Sequence, residues 1–140
     1  MKTKKKGPEK LIYVLVARKV QTDNLYPFIN VDMTCGRLMA QIAHVVSKLK
    51  IRVKADPDEE YTTIILMVPN ESTLVSRYID LTDYIERYTS DIQVEIFSDT
   101  NPEFYGTKMS YPTAVAAMMS RKQGKKHFYD LPLWECKYMH

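Results

Sequence analysis

A continuous apolar run near the start of the chain limits the fold more than any other feature. Residues 11–17 read LIYVLVA and are rich in side chains that favour strands. Because the run is apolar at successive positions rather than at alternate ones, the strand needs cover on both of its faces. The sequence therefore predicts an interior strand of a sheet that has helices on both sides.

Further helix and strand signals follow in an alternating order. Residues 36–50 carry apolar side chains at steps of three and four, which predicts an amphipathic helix. A second helix is expected after Asn70, which can cap its first turn. Apolar or alternating segments at 62–68, 92–96 and 113–119 predict three more strands.

The resulting order is strand, helix, strand, helix, strand, strand, followed by at most a short helix. It contains two strand-helix-strand crossovers, and such crossovers return the chain in the same direction. We therefore expect an α/β fold with a four-stranded, mostly parallel mixed sheet and helices on both faces.

Length and composition fit one domain. The chain has 140 residues, of which 45% are hydrophobic and 26% are charged, as in ordinary globular proteins. Residues 1–10 are rich in lysine and are expected to form a basic flexible tail, so the domain spans residues 11–140. The segment at about 19–33 is polar, contains Pro27 and has no sustained period. It is predicted to be an inserted loop, and loops of this length are usually functional or mobile.

The numbers and positions of the cysteines and histidines indicate which cellular compartment and which cofactors to expect. Cys35 and Cys136 lie far apart and have no companions at metal-ligand spacing, so neither a disulfide framework nor a zinc site is predicted. We expect a reducing, cytoplasmic location. The three histidines are widely separated, so no metal or other cofactor is expected. No apolar run is long enough to span a bilayer, so no membrane contact is expected.

The first predicted helix has a second, polar row. Arg37, Gln41, His44 and Lys48 follow the helical period on a face away from the apolar stripe. Arg37 falls in the first turn, where the positive end of the helix dipole slightly disfavours a cation. That position points to a ligand with negative charge. On the pattern alone, however, a solvated helix face is the simpler interpretation.

A carboxylate and a basic cluster are the other candidate features. Sites in parallel sheets form at the carboxyl ends of strands, which brings Asp99 to the same edge as Arg37. An ordinary turn also explains the run Asp-Thr-Asn-Pro that begins at Asp99. The net charge of +3 is too small to identify a nucleic-acid binder. Four basic residues nevertheless cluster after the last predicted strand, where they suit either phosphate contacts or a solvated turn: Arg121, Lys122, Lys125 and Lys126.

Three segments together resemble the type II peptidyl-tRNA hydrolases, over nearly the whole of residues 11–134. Arg37 stands at the lysine of that family's Gly-Lys-(hydrophobic)-Ala-Ala-Gln-x-x-His-Ala segment. The segment 69–74 is similar to the Pro-Asp-Glu-Glu-Thr-Leu opening of the family's second helix, and Asp99 occupies the place of its aspartate after the third strand. The residues in step with the first motif are Gly36, Ala40, Gln41 and His44.

The resemblance implies a small α/β domain that hydrolyses the ester joining a peptide to the 3′ end of tRNA, as part of translation. Asp99 would orient or deprotonate a water molecule, and Arg37 would stabilise the developing negative charge. His44 is either a packing histidine or a proton carrier. The candidate substrate-binding or supporting residues are Gly36, Gln41, His44 and Glu103. The candidate contacts to tRNA phosphates are Arg121, Lys122, Lys125 and Lys126.

The chain departs from the family pattern at three places. Arg37 keeps the charge of lysine but holds its proton too firmly to act as a general acid or base. Glu103 replaces a threonine, and residues 116–122 replace a glycine-rich strand and loop. Two alternatives therefore stay open: an active hydrolase, and a catalytically inactive relative that binds tRNA or another acidic partner. The sequence also leaves a homodimer open.

Overall fold

The computed structural model describes residues 9–22, 29–32, 35–56, 58–89, 91–99 and 111–134. Within these ranges the chain forms five strands and three helices, in the predicted order except for one additional short strand after the first. They are β1 (Lys10–Thr22), β2 (Ile29–Asp32), α1 (Cys35–Val53), β3 (Thr63–Asn70), α2 (Glu71–Tyr88), β4 (Gln93–Asp99), β5 (Tyr111–Ser120) and α3 (Arg121–Phe128). Most of the proposed basic tail lies outside the described residues.

The strands form one mixed sheet with β1 in its interior. β1 pairs in parallel with β3 and antiparallel with β5, and β4 pairs antiparallel with β5. The order β3-β1-β5-β4 follows, in which β1, β3 and β4 run in the same direction. The predicted α/β fold with a mixed sheet is thus confirmed, but among the described strands only β1 and β3 are paired in parallel. The carboxyl ends of these three strands share one edge of the sheet.

Part of the predicted inserted loop is a strand pair. β1 continues to Thr22, and its last residues pair antiparallel with β2. The sheet consequently has five strands rather than the predicted four. The sequence pattern did not indicate this pair because strand pairing at the margin of a sheet is made by backbone groups, which need no apolar alternation. Residues 23–28, between the two strands, lie outside the described part of the chain.

The helices cover both faces of the sheet, as predicted. Phe97 of β4 packs on His44 of α1, and Tyr13 of β1 packs on Phe128 of α3. The register aligns Tyr13 through β5 with Val94, three positions from Phe97. Because strand side chains alternate, Tyr13 and Phe97 point to opposite faces. α1 therefore lies on one face, and α3 lies on the other together with α2, whose aromatic rings it contacts.

The core is centred on the apolar run of β1. All of residues 11–17 are buried, which confirms the prediction of an interior strand covered on both faces. α1 contributes Leu38, Val45 and Leu49 to this core, and α2 contributes Leu74. Each such side chain stabilises the fold by roughly 1.5–3 kcal/mol relative to an exposed one.

The start of α1 contradicts one prediction. Cys35 is disulfide-bonded, whereas the sequence analysis predicted no disulfide. The prediction was wrong because separation along the chain does not limit which cysteines meet in space; only the distance between their Cα atoms does.

Candidate functional site

The predicted site lies at the edge where β1, β3 and β4 end. β4 finishes at Asp99, which pairs with Tyr111 at the start of β5. α1 begins at Cys35, so Gly36 and Arg37 belong to its first turn. Whether Arg37 and Asp99 can share a site therefore depends on how the start of α1 is held against the end of β4.

A buried hydrogen bond joins α1 to this edge. The Thr113 hydroxyl donates to Oε1 of Gln41 over 2.9 Å, and only 3% of Gln41 and 0% of Thr113 is exposed. Thr113 is an extra residue in β5, because its two neighbours pair with Ser98 and Phe97. This β-bulge re-aims the Thr113 side chain toward α1. Gln41 lies one turn after Arg37, so the bond holds the first turns of α1 over the end of β4.

The other polar residues of α1 also contact β4. His44 packs on Phe97 with the ring centroids 4.8 Å apart, while much of its imidazole stays exposed. Lys48 donates to the carbonyl oxygen of Ile96 over 3.0 Å and lies 3.7 Å from a carboxylate oxygen of Glu95. Together with the bond from Thr113, these contacts show that Gln41, His44 and Lys48 of the polar row dock α1 on β4 and β5. The helical spacing alone did not distinguish this role from a solvated or ligand-binding face.

Gly36 lies at the open end of α1. A Cβ atom built on Gly36 would meet no atom of the described chain within 4 Å. Packing in the described part of the molecule therefore does not require glycine at this position. Arg37 follows it with a half-buried side chain.

Neither of the two predicted carboxylate groups is described. Asp99 is placed by its backbone as the last residue of β4, but its side chain lies outside the description. Glu103 belongs to residues 100–110, which the structure does not describe. That both carboxylates take part in the site stays a prediction.

The four basic residues of α3 lie far from Arg37. All four are exposed: Arg121, Lys122, Lys125 and Lys126. α3 starts where β5 ends, and Ser120 there pairs with Lys10 at the start of β1. Seven strand steps separate Ser120 from Thr113, the residue of β5 that faces Gln41, which is about 23 Å along the strand. The basic residues and Arg37 therefore do not form one compact site.

Lys126 is engaged with α2 rather than freely extended. Its Nζ donates to the hydroxyl of Tyr84 over 3.0 Å and lies 4.8 Å from the centroid of that ring. The ring of Tyr84 also meets His127 edge-on at 4.6 Å. Burial, with a smaller contribution from the Lys126 charge, lowers the pKa of His127. These contacts fix α3 on α2, and they already use part of the hydrogen-bonding capacity of the Lys126 ammonium group.

Sequence reasoning missed two polar residues near the carboxyl edge. Thr113 was treated as the start of an apolar strand, although a hydroxyl directly before such a run is a usable signal for a buried hydrogen bond. Glu71, in the first turn of α2, was not among the predicted site residues. Burial raises the pKa of Glu71 to about 7, and no described residue supplies a partner to its buried Oε2 atom. Nothing in the local pattern signals that burial.

Two cavities of about 590 Å³ each are formed by described residues. One lies along α1 between Ile42, Ile51 and Thr63. The other lies beside the start of α2, between Arg18 and Arg77. Neither is lined by Arg37, so the predicted site and these two cavities are separate.

Comparison with known proteins supports the fold alone. No protein-family model matches the chain, and no curated protein matches it. Among solved structures, the chain is similar to the protein of unknown function Atu0240 from Agrobacterium tumefaciens str. C58. The two share 12% sequence identity over 91% of this chain and 98% of that one, with a TM-score of 0.50. At that identity the similarity indicates a shared architecture and gives no information about activity.

Neither a metal cluster nor a membrane span is found in the described part of the chain. No three His, Cys, Asp or Glu side chains there come close enough to hold a metal ion. None of the described helices is long and apolar enough to cross a bilayer.

Proposed function

We propose that the protein hydrolyses the ester bond of peptidyl-tRNA, or of a related aminoacyl ester, and releases free tRNA and peptide. The proposal rests on the resemblance of three segments to the type II peptidyl-tRNA hydrolases. The single structural observation that supports it is the buried bond between Gln41 and Thr113. That bond brings the turn with Gly36 and Arg37 over the end of the strand that finishes at Asp99.

In this proposal the two candidate catalytic residues divide the chemistry of ester hydrolysis. Arg37 stabilises the negative charge that develops on the carbonyl oxygen. Asp99 orients a water molecule and takes its proton, which Arg37 cannot do because a guanidinium cation has no acceptor atom. Gln41 is buried, so it acts by positioning α1 and not by touching substrate. No metal or cofactor is needed for these steps.

The test is release of free tRNA from a purified peptidyl-tRNA analogue without added metal. We expect Arg37→Lys to retain or raise hydrolysis, because it keeps a compact cation at the same place. Asp99→Asn should lower kcat by about 10²–10⁴-fold with little change in tRNA affinity. Lys50→Gln, in the same helix as Arg37, is the control and should leave hydrolysis unchanged. If neither the unmodified protein nor Arg37→Lys releases tRNA above the rate without protein, the hydrolase proposal is wrong.

A catalytically inactive module that binds tRNA or another acidic partner is the second candidate. The specific observation that favours it is the exposed set of four basic residues on α3, which follows the end of β5 that is farther from Gln41. Binding needs only positive charge, which arginine at position 37 also supplies. Tight, salt-dependent tRNA binding without any ester hydrolysis would support this candidate against the first.

Both candidates would place the protein in the cytoplasm, where the disulfide of Cys35 would be reduced. We expect a chain recovered from whole cells under alkylating conditions to carry the label on Cys35. Recovery of an unlabelled, disulfide-bonded chain would contradict a cytoplasmic location.

A homodimer also stays a prediction, which sedimentation equilibrium of the purified chain would test.

A further inference from the structure

A cavity of about 590 Å³ lies where β3 passes into α2. Three separate parts of the chain place polar side chains on its wall. Arg18 comes from β1, Asn70 and Arg77 come from the start of α2, and Asp130 follows α3. The resemblance assigned no role to any of these four residues.

Arg77 is held in a defined orientation at this cavity. Its Nη1 donates to the carbonyl oxygen of His127 over 3.2 Å, and its Nη2 is paired with a carboxylate oxygen of Asp130. A guanidinium carries five N–H donors, so most of its donors are not used by these two bonds. The last turn of α3 thus fixes a cation against the cavity wall.

Asn70 adds a neutral donor beside this cation. Its Oδ1 accepts from the backbone N–H and from the hydroxyl of Thr73, over 2.9 and 3.0 Å. The oxygen is fully occupied as the cap of α2, and its Nδ2 has no partner among the residues the structure describes. Because both are on one amide, fixing the oxygen also fixes the direction of the donor.

Arg18 supplies a second cation that is not neutralised. It is exposed, and within the described ranges no hydrogen bond or ion pair involves its guanidinium. Asp130 stays ionised, because its hydrogen bond with Arg77 lowers its pKa. Two guanidinium cations therefore face one carboxylate. The rest of the wall is largely apolar and includes Met67 and Leu131.

We propose that this cavity binds a phosphate monoester through Arg18, Arg77 and Asn70, with the group that carries the phosphate resting on Met67 and Leu131. A guanidinium fork matches the spacing of phosphate oxygens, and charge-assisted bonds of this kind are among the strongest in proteins. The volume suits a small ligand or one end of a larger one. The dipole of α2 adds only a small favourable field. The proposal does not depend on ester hydrolysis or on Arg37.

The primary probe is phenyl phosphate, titrated calorimetrically into the full chain at low ionic strength, with phenol as the uncharged counterpart. Asn70→Asp keeps the oxygen that caps α2 but replaces the free donor with a negative oxygen. Arg18→Gln removes the unpaired cation. Arg87→Gln, in the last turn of α2, removes an equal charge away from the cavity and is the control. Arg77 is left intact because it also holds the end of α3.

We expect phenyl phosphate to bind and phenol not to bind. Asn70→Asp and Arg18→Gln should each weaken binding by at least about tenfold, and Arg87→Gln should change it by less than about twofold. Unchanged thermal midpoints in all three variants would show that the fold is retained. The proposal is overturned if phenyl phosphate does not bind, if phenol binds equally well, or if the two cavity variants bind as the control does.

A second experiment distinguishes two sources of the phosphate monoester, the 5′ end of an RNA chain and a free small molecule. A 5′-phosphorylated RNA trinucleotide is compared with the same trinucleotide carrying a 5′-hydroxyl. A preference for the phosphorylated form that is lost in Asn70→Asp identifies the end of an RNA chain as the ligand. Binding of phenyl phosphate without that preference identifies a free small molecule. Failure of phosphate binding leaves the hydrolase proposal unaffected, because the two rest on different residues and different assays.

Discussion

At the scale of single residues, the buried hydroxyl of Thr113 decides where the predicted site is assembled. It joins Gln41 to β5 by a hydrogen bond of 2.9 Å, and both partners are shielded from water. A buried acceptor that loses its donor costs free energy because water cannot replace the lost bond. The position of Arg37 over the sheet edge therefore depends on a residue that carries out no chemistry itself.

Thr113→Val tests this dependence with a side chain of nearly the same shape. It removes the hydroxyl that donates to Oε1 of Gln41, so the free energy of unfolding should fall by about 1–3 kcal/mol in urea denaturation. Thr113→Ser keeps the hydroxyl and is the matched control, which should lose less. If valine and serine have equal effects, the hydrogen bond does not contribute and the loss comes from packing alone.

Glu71 predicts a dependence of stability on pH. The native pKa of about 7 lies above the ordinary value of 4.5, so between these two values the native state holds a proton that the unfolded state has released. The free energy of unfolding should therefore fall as pH rises through this window. It should then stay level above about pH 7. The total fall in the free energy of unfolding is about 1–2 kcal/mol, after allowance for the partial exposure of Glu71.

Glu71→Gln removes this charge while keeping the shape of the side chain. Relative to the unmodified protein, it should be stabilised at pH 8 and nearly unchanged at pH 4.5, as measured by urea denaturation at both values. Glu86→Gln, an exposed carboxylate of the same helix, is the control. A stability difference for Glu71→Gln that is the same at both pH values would contradict the burial argument.

At the scale of secondary-structure elements, two helical glycines have opposite surroundings. Gly124 lies where α3 crosses β1, and a Cβ atom there would come within 2.1 Å of the Tyr13 ring. The ring packs between α3 and the sheet, so it cannot move away without disturbing its contact with Phe128. Gly36 in α1 has open space instead. The absence of a side chain is therefore a packing requirement in α3 but not in α1.

Alanine substitutions at the two glycines should have opposite effects on the free energy of unfolding. Gly124→Ala forces the helix off the sheet and should lower the free energy of unfolding by about 1–3 kcal/mol. Gly36→Ala should leave stability unchanged or raise it by up to about 1 kcal/mol, because alanine is the better helix former. Denaturation of both variants under one set of conditions measures the difference. Equal effects would mean that α3 is not packed closely on Tyr13.

At the scale of the whole molecule, the direction of β5 keeps the cationic helix away from the predicted site. β5 runs opposite to its neighbours, so it starts beside Gln41 and ends beside the first residue of β1. α3 then packs on the face opposite α1. A ligand that touches both Arg37 and α3 must be large enough to extend around the sheet, as a tRNA is and a small ester is not.

Neutralising the four basic residues of α3 tests whether such a ligand is bound there. Changing Arg121, Lys122, Lys125 and Lys126 to glutamine should weaken tRNA binding and lower the slope of log K against log salt by up to about 3–4. Lys50→Gln with Lys54→Gln, two cations at the end of α1, is the control and should change the slope less. An unchanged slope in the four-residue variant would assign the cluster to solubility.

The local signals in the sequence were sufficient for the elements and for the class of fold. The apolar run at 11–17 predicted the interior strand, the helical period at 36–50 predicted α1, and Asn70 was correctly expected to cap α2. Each of these depends on residues within a turn or a pleat of one another. Short-range spacing along the chain carries that information directly.

Other features depended on contacts between distant segments, and only the tertiary structure decided them. Which elements become neighbours determines three of these features: the β-bulge at Thr113, the docking of the polar row of α1 on β4, and the burial of Glu71. The pairing of β2, the bond at Cys35 and the cavity beside Arg18 have the same origin. A polar side chain at helical spacing looks identical in sequence whether it faces water, a ligand or another strand. Its role is set by the register and direction of strands that lie tens of residues away, and local periodicity does not encode either.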